Sequence, residues 1–94
     1  MNICIRRYQS PDTVELSRRV QEGFVPLIGK SPGFLAYYAI DSGDGNWTSI
    51  SIFDTQAEAD HSTLLAGEWA KKNVANLVGT PVATSGKVVA YKVK

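Results

Sequence analysis

The segment Phe34–Ile40 reads Phe-Leu-Ala-Tyr-Tyr-Ala-Ile and is apolar or aromatic at every position. Side chains alternate across a strand, so such a run presents apolar groups on both faces of a sheet, and both faces need cover. The loop Asp41–Gly45 follows, rich in residues that tolerate positive φ, and Trp47–Phe53 returns as an antiparallel partner. Whatever else the chain builds must cover the two sides of this hairpin.

The flanking segments supply that cover. Asn2–Tyr8 carries β-branched and aromatic residues and predicts a first strand. Ser10 can cap a helix with Pro11 at its first position, or Asp12 can cap it with Glu15 closing a capping box. Leu16, Val20, Phe24 and Leu27 then recur at helical spacing, and Gly23 with Pro26 predicts a kink or an early end before Gly29. Thr55 and Glu58 form a second capping box for a helix expected to reach about Leu77. Its packed stripe is Ala59, Thr63, Ala66, Ala70, Val74 and Leu77. Gly79-Thr80-Pro81 ends it, and Lys87–Val93 is expected to be the last strand.

Strand, helix, hairpin, helix, strand is the split βαβ order. It predicts a single α+β domain over residues 1–94, a ferredoxin-like βαββαβ unit whose four-stranded antiparallel sheet carries two helices on one face. The other face is then a broad apolar surface, for which self-pairing is the economical cover.

Composition excludes several functions. Ten basic and nine acidic residues nearly cancel, so no overall field draws the chain to nucleic acid or an anionic membrane. No apolar run is long enough to span a membrane and no signal peptide opens the chain, so a cytoplasmic location is the expectation. Cys4 is the single cysteine, which removes any internal disulfide and any Cys-rich metal site. Asp41, Asp44 and Asp54 are explained by turns and capping, and no metal is expected. Asn46–Ile50 lacks the aromatic pattern of RNA-binding domains of this strand order, and no Gly-rich phosphate loop or nucleophile elbow is present.

Three phrases read together carry a resemblance: Gly23–Ile28 (GFVPLI), Ser31–Tyr38 (SPGFLAYY), and Ser49–Thr55 (SISIFDT) leading into Ala57-Glu58-Ala59. They fall within residues 23–59, and through them the chain resembles the antibiotic biosynthesis monooxygenase family. The resemblance implies a homodimer, two sheets facing each other as a dimeric α+β barrel. It also implies oxygenases that use O₂ with no cofactor on an acidic, electron-rich aromatic held between sheet and helices. Other members degrade haem with an Asn on the first strand and a Trp and a His on the second helix. This chain departs from that pattern, with Asn only at position 2 and Ser62 and Lys72 where the Trp and His would fall.

The candidate catalytic residues are His61, Arg6 and Tyr37, and the candidate substrate-binding residues are Trp47, Tyr38, Trp69 and Arg7. An imidazole ordinarily titrates near ~6.5 and can take a phenolic proton. The helical angle of His61 nevertheless sets it opposite the packed stripe, facing solvent. Arg6 and Arg7 are adjacent on a strand, as are Tyr37 and Tyr38, so one of each pair faces the helices and the sequence leaves open which. An inward arginine can stabilise an oxyanion, while a structural ion pair is its plainer role. A non-catalytic dimer that binds a small hydrophobic or aromatic ligand, or serves as a scaffold, is the alternative to an oxygenase. An isomerase on the same barrel would need an inward acid–base pair.

Overall fold

A computed structural model describes Met1–Lys94. The elements are β1 (Asn2–Gln9), α1 (Thr13–Arg19), a π-helical turn (Val20–Phe24), α2 (Val25–Ile28), β2 (Phe34–Gly43), β3 (Asn46–Phe53), α3 (Gln56–Asn73) and β4 (Val82–Lys87). The sheet is antiparallel in the order β2-β3-β1-β4. One face carries the core: Trp47 and Phe53 of β3 meet Leu16, Val20, Phe24 and Ile28 of the first helical arm and Ala59 and Ala66 of α3. This is the expected ferredoxin-like arrangement, with the helices on one face. No helix is long and apolar enough to cross a membrane.

The first helical arm starts at Asp12 rather than Ser10, because the Asp12 carboxylate accepts from the Glu15 amide at 3.0 Å. Pro11 precedes the helix. The expected kink is a π-helical turn. Pro26 has no N–H to donate to the Glu22 carbonyl, and just before it the Val25 amide reaches back five residues to the Val20 carbonyl. The extra residue in that turn relieves the clash that proline would make in an unbroken α-helix, so the arm continues to Ile28.

The second helix is shorter than expected, ending at Asn73. Val74 and Leu77 are still buried, because a turn closed by the Leu77 amide on the Val74 carbonyl (2.8 Å) folds them back onto the core. Ser62, not Thr63, completes the buried stripe of α3 with Ala59 and Ala66. The last strand is also displaced, to Val82–Lys87 from the expected Lys87–Val93. Pairing explains it: β1 runs from Arg7 opposite Val82 to Asn2 opposite Lys87, so the ladder ends where β1 begins. Beyond it Val89, Tyr91 and Val93 stand exposed, an alternation with no strand beside it.

The hairpin turn is tighter than the predicted loop. β2 reaches Gly43 and β3 starts at Asn46, leaving Asp44-Gly45, both at positive φ as a type I′ turn requires. A second glycine is needed at the other end of β2. Gly33 has φ +74°, and a Cβ there would lie 1.9 Å from the Glu58 carboxylate. That carboxylate accepts from the Thr55 amide at 3.1 Å and closes the α3 capping box. Gly33 therefore makes room for the group that starts α3. Thr55→Ala should lower stability by about 1 kcal/mol, and Gly33→Ala by about 2 kcal/mol because it adds backbone strain to a displaced cap. In urea unfolding, Gly33→Ala combined with Glu58→Ala should destabilise by less than the sum of the two.

Candidate functional site

Register decides which side chains face the helices. β1 turns Asn2, Cys4, Arg6 and Tyr8 toward them, opposite Phe53, Ser51, Ser49 and Trp47 of β3. Arg6 lies in a row with Ala39, Ser49 and Ala83, short side chains that leave its long stem room to lie over the sheet. It is only 2% exposed.

The three salt bridges of the molecule join Glu15 to Arg18, Arg18 to Glu22 and Glu15 to Arg19, on the outside of the first helical arm. None reaches Arg6. One guanidinium nitrogen, Nη2, donates to the Ser51 hydroxyl at 3.5 Å, and Nε is buried with no partner. A buried arginine ordinarily answers a carboxylate. This one has a hydroxyl and open space.

Two spaces meet at Arg6. A small inner cavity of about 30 Å³, room for roughly one or two waters, lies between sheet and helices beside Tyr37, Trp47 and Trp69. A cleft of about 480 Å³ opens between α3, β1 and β4, with Arg6 and Tyr8 at its base and Lys71 also in its lining. The cleft exists because its other walls are short, among them Gly67, Ala70, Ala75, Gly79 and Ala83. Its volume is in the range of small-molecule sites. The inner cavity is closed by aromatics: Phe24 packs against Trp69 with ring centroids 5.4 Å apart and against Tyr37 at 5.6 Å.

The structure brings Arg6, Tyr37, Trp47 and Trp69 together on the helix side. Trp47 is buried and donates from Nε1 to the Ser17 hydroxyl at 3.0 Å, so its polar edge is engaged by the first helical arm. Arg7 and Tyr38 point the other way. Arg7 is exposed and donates to Thr84 at 3.4 Å, and Tyr38 is 59% exposed on the uncovered face. His61 lies on the solvent side of α3 and borders neither the inner cavity nor the cleft.

Two residues at the cleft were not singled out from sequence. Tyr8 was findable, since it shares the face of Arg6 two positions on. Lys71 reads from sequence only as half of the basic pair Lys71-Lys72 on a solvated face, and a lysine in the last turn of a helix also suits the helix dipole.

The chemistry available is one-sided. No carboxylate, imidazole or thiol borders the cleft or the inner cavity. Burial pushes the Tyr37 phenol up to about 12 and raises Tyr8 as well, both partly offset by the charge of Arg6, so both stay protonated at neutral pH. The arrangement can hold an anion and donate hydrogen bonds to it, but it offers no ordinary base. No group of three His, Cys, Asp or Glu side chains is placed to bind a metal ion.

No family model matches the sequence, and no curated protein matches it. Solved structures do resemble it. A protein of unknown function from Nitrosomonas europaea superposes with a TM-score of 0.78 at 18% identity, over 99% of this chain and 93% of that one. SnoaB, a cofactor-independent oxygenase from Streptomyces nogalater, gives 0.75 at 11% identity over 96% of this chain and 94% of its own. MhuD, a heme degrader from Mycobacterium tuberculosis solved with two hemes in its active site, gives 0.74 at 14% identity, covering 98% and 99%. The chain has the fold these proteins share, the fold expected from its resemblance to the antibiotic biosynthesis monooxygenases. Neither space offers an imidazole or a thiol, the commonest protein ligands of a haem iron, so the residues present do not match that use of the fold.

If Arg6 is held for a ligand and not for the fold, removing its charge should relieve the folded protein. Arg6→Met is expected to raise stability by about 1–3 kcal/mol, measured by urea denaturation without ligand. A loss of stability would assign Arg6 a structural role instead.

Proposed function

We propose that the protein binds the anion of a small hydroxylated aromatic compound in the cleft over Arg6 and oxidises it with O₂ without a flavin or metal. The observation that carries this reading is the buried, carboxylate-free Arg6 guanidinium at the base of a ligand-sized cleft. A fixed cation in a site of low dielectric favours the phenolate over the phenol and so lowers the substrate's own pKa. No protein base is needed if the substrate ionises this way, which agrees with a lining that has none. Trp47, Tyr37 and Trp69 wall the inner side, and His61 has no part.

The electrons come from the substrate. With 1-naphthol as the probe, the anion passes an electron to O₂, and recombination forms a carbon–oxygen bond para to the phenolate. The O–O bond then breaks, the para C–H and phenolic hydrogens leave with one oxygen atom as water, and 1,4-naphthoquinone remains. One O₂ is consumed per quinone, and its four electrons are supplied by the ring. Oxygen uptake with 1-naphthol should match quinone formation one to one, persist after chelation and dialysis, and fall about 100-fold in Arg6→Met. Binding of 1-naphthol with no uptake beyond the protein-free rate would favour the second reading, a ligand-binding protein without turnover. The absence of a base and the tight packing of Phe24 on Trp69 argue for that alternative.

The uncovered face supports a homodimer. The central strands turn Ile3, Ile5, Ile50 and Ile52 to that side, with Tyr38 and Ile40 of β2 beside them. The helix side of the same strands carries Tyr8, Trp47 and Phe53 beside Cys4, Ser49 and Ser51. The uncovered side is thus apolar although no helix covers it, and a second copy is the partner its self-complementary row of isoleucines fits. Sedimentation is expected to give twice the 10.2 kDa chain mass, and Ile50→Asp to give the monomer; a monomeric wild type would overturn the pairing.

A further inference from the structure

We infer that the ligand of the cleft carries a second acidic group, a carboxylate, received by Lys71 while Arg6 receives the phenolate, so that hydroxyaryl carboxylic acids are the class it takes. This rests on the reading of Arg6 as the anion site. The cleft is lined by twelve residues, two of them cations and none an acid. Lys71 forms no salt bridge, and its neighbour Lys72, equally placed to complement the helix dipole, does not border the cleft. A dipole role explains both lysines, and only Lys71 also borders the cleft.

The cleft lining includes a glycine held at some expense to the helix. Gly67 sits inside α3, where glycine is less favourable than alanine, yet nothing lies within 4 Å of a Cβ built there. Gly79 is equally open on the loop. Neither glycine is required by a close packing neighbour, and both border the cleft. A side chain at either position would meet no neighbouring atom beside the cleft lining.

The order of the two groups follows from solvation. A carboxylate holds its hydration strongly, so it is better placed on exposed Lys71, where water remains. The phenolate, its charge spread into the ring, is better suited to the buried guanidinium. An aromatic acid with its two oxygens at opposite ends satisfies both.

Fluorescence titration of the full chain with 6-hydroxy-2-naphthoate, 2-naphthol and 2-naphthoate tests this. The hydroxy acid is expected to bind wild type about tenfold more tightly than 2-naphthol, the gain of one charge-assisted contact. Lys71→Gln should lose that tenfold and leave 2-naphthol binding unchanged, while Lys72→Gln changes neither. Equal affinities of Lys71→Gln and wild type for the hydroxy acid, or an equal loss in Lys72→Gln, would overturn the inference. If Arg6→Met abolishes binding while Lys71→Gln does not, the Arg6 site stands and only the second group falls. Unchanged binding in Arg6→Met, or no binding of any probe to wild type, defeats both.

Discussion

The antiparallel pairing of β1 with β3 fixes everything that follows. With Arg6 opposite Ser49 and Tyr8 opposite Trp47, one slip of register would send the arginine to the uncovered face and bring Arg7 and Ile5 under the helices. The helices in turn can approach this sheet because its central positions are small. Cys4, Ser49 and Ser51 offer little height, and α3 answers with Ala59, Ser62 and Ala66. A close helix–sheet contact of small residues on one side and a rim of aromatics on the other leaves the space beside β4 as the place where a ligand can enter.

Burying an unpaired guanidinium opposes folding in a domain this small, whose net stability is a narrow difference between large terms. The structure limits that opposition without removing it. Ser51 accepts one hydrogen bond, Tyr8 and Tyr37 lie near, and the cleft keeps part of the group's surroundings open to water. An anion arriving there completes an interaction the fold leaves open, and binding it should stabilise the folded chain in proportion to its occupancy.

Order and type of the elements were legible in the sequence because each is marked by local chemistry. Thr55 and Glu58 announce α3, and Asp44-Gly45 announces the hairpin. The ends were less legible. Val88–Val93 looks more like a strand than Val82–Lys87 does, but strand limits are set by the length of the partner, a non-local fact absent from either segment. The site was harder still. Adjacent arginines and adjacent tyrosines carry the same chemistry, and only register says which of each pair is inside. The usual guide, that the more apolar face is the covered one, does not decide here: Trp47 and Phe53 lie under the helices, and the isoleucines lie on the side the helices leave bare. His61 was attractive because it is the only imidazole, yet its position on α3 places it outside the cleft.

The cleft assigns chemistry and shape to different parts of the chain. Its charge and hydrogen-bond donors at the base belong to β1, in the centre of the sheet, where the strand register fixes the face each side chain takes. Its dimensions belong in part to Gly67 on α3 and to Ala75 and Gly79 on the loop beyond, exposed positions outside the core. A lineage could therefore change the size of molecule it accepts by single substitutions there, each trimming the volume by one side chain, while the mode of anion recognition passes on unaltered.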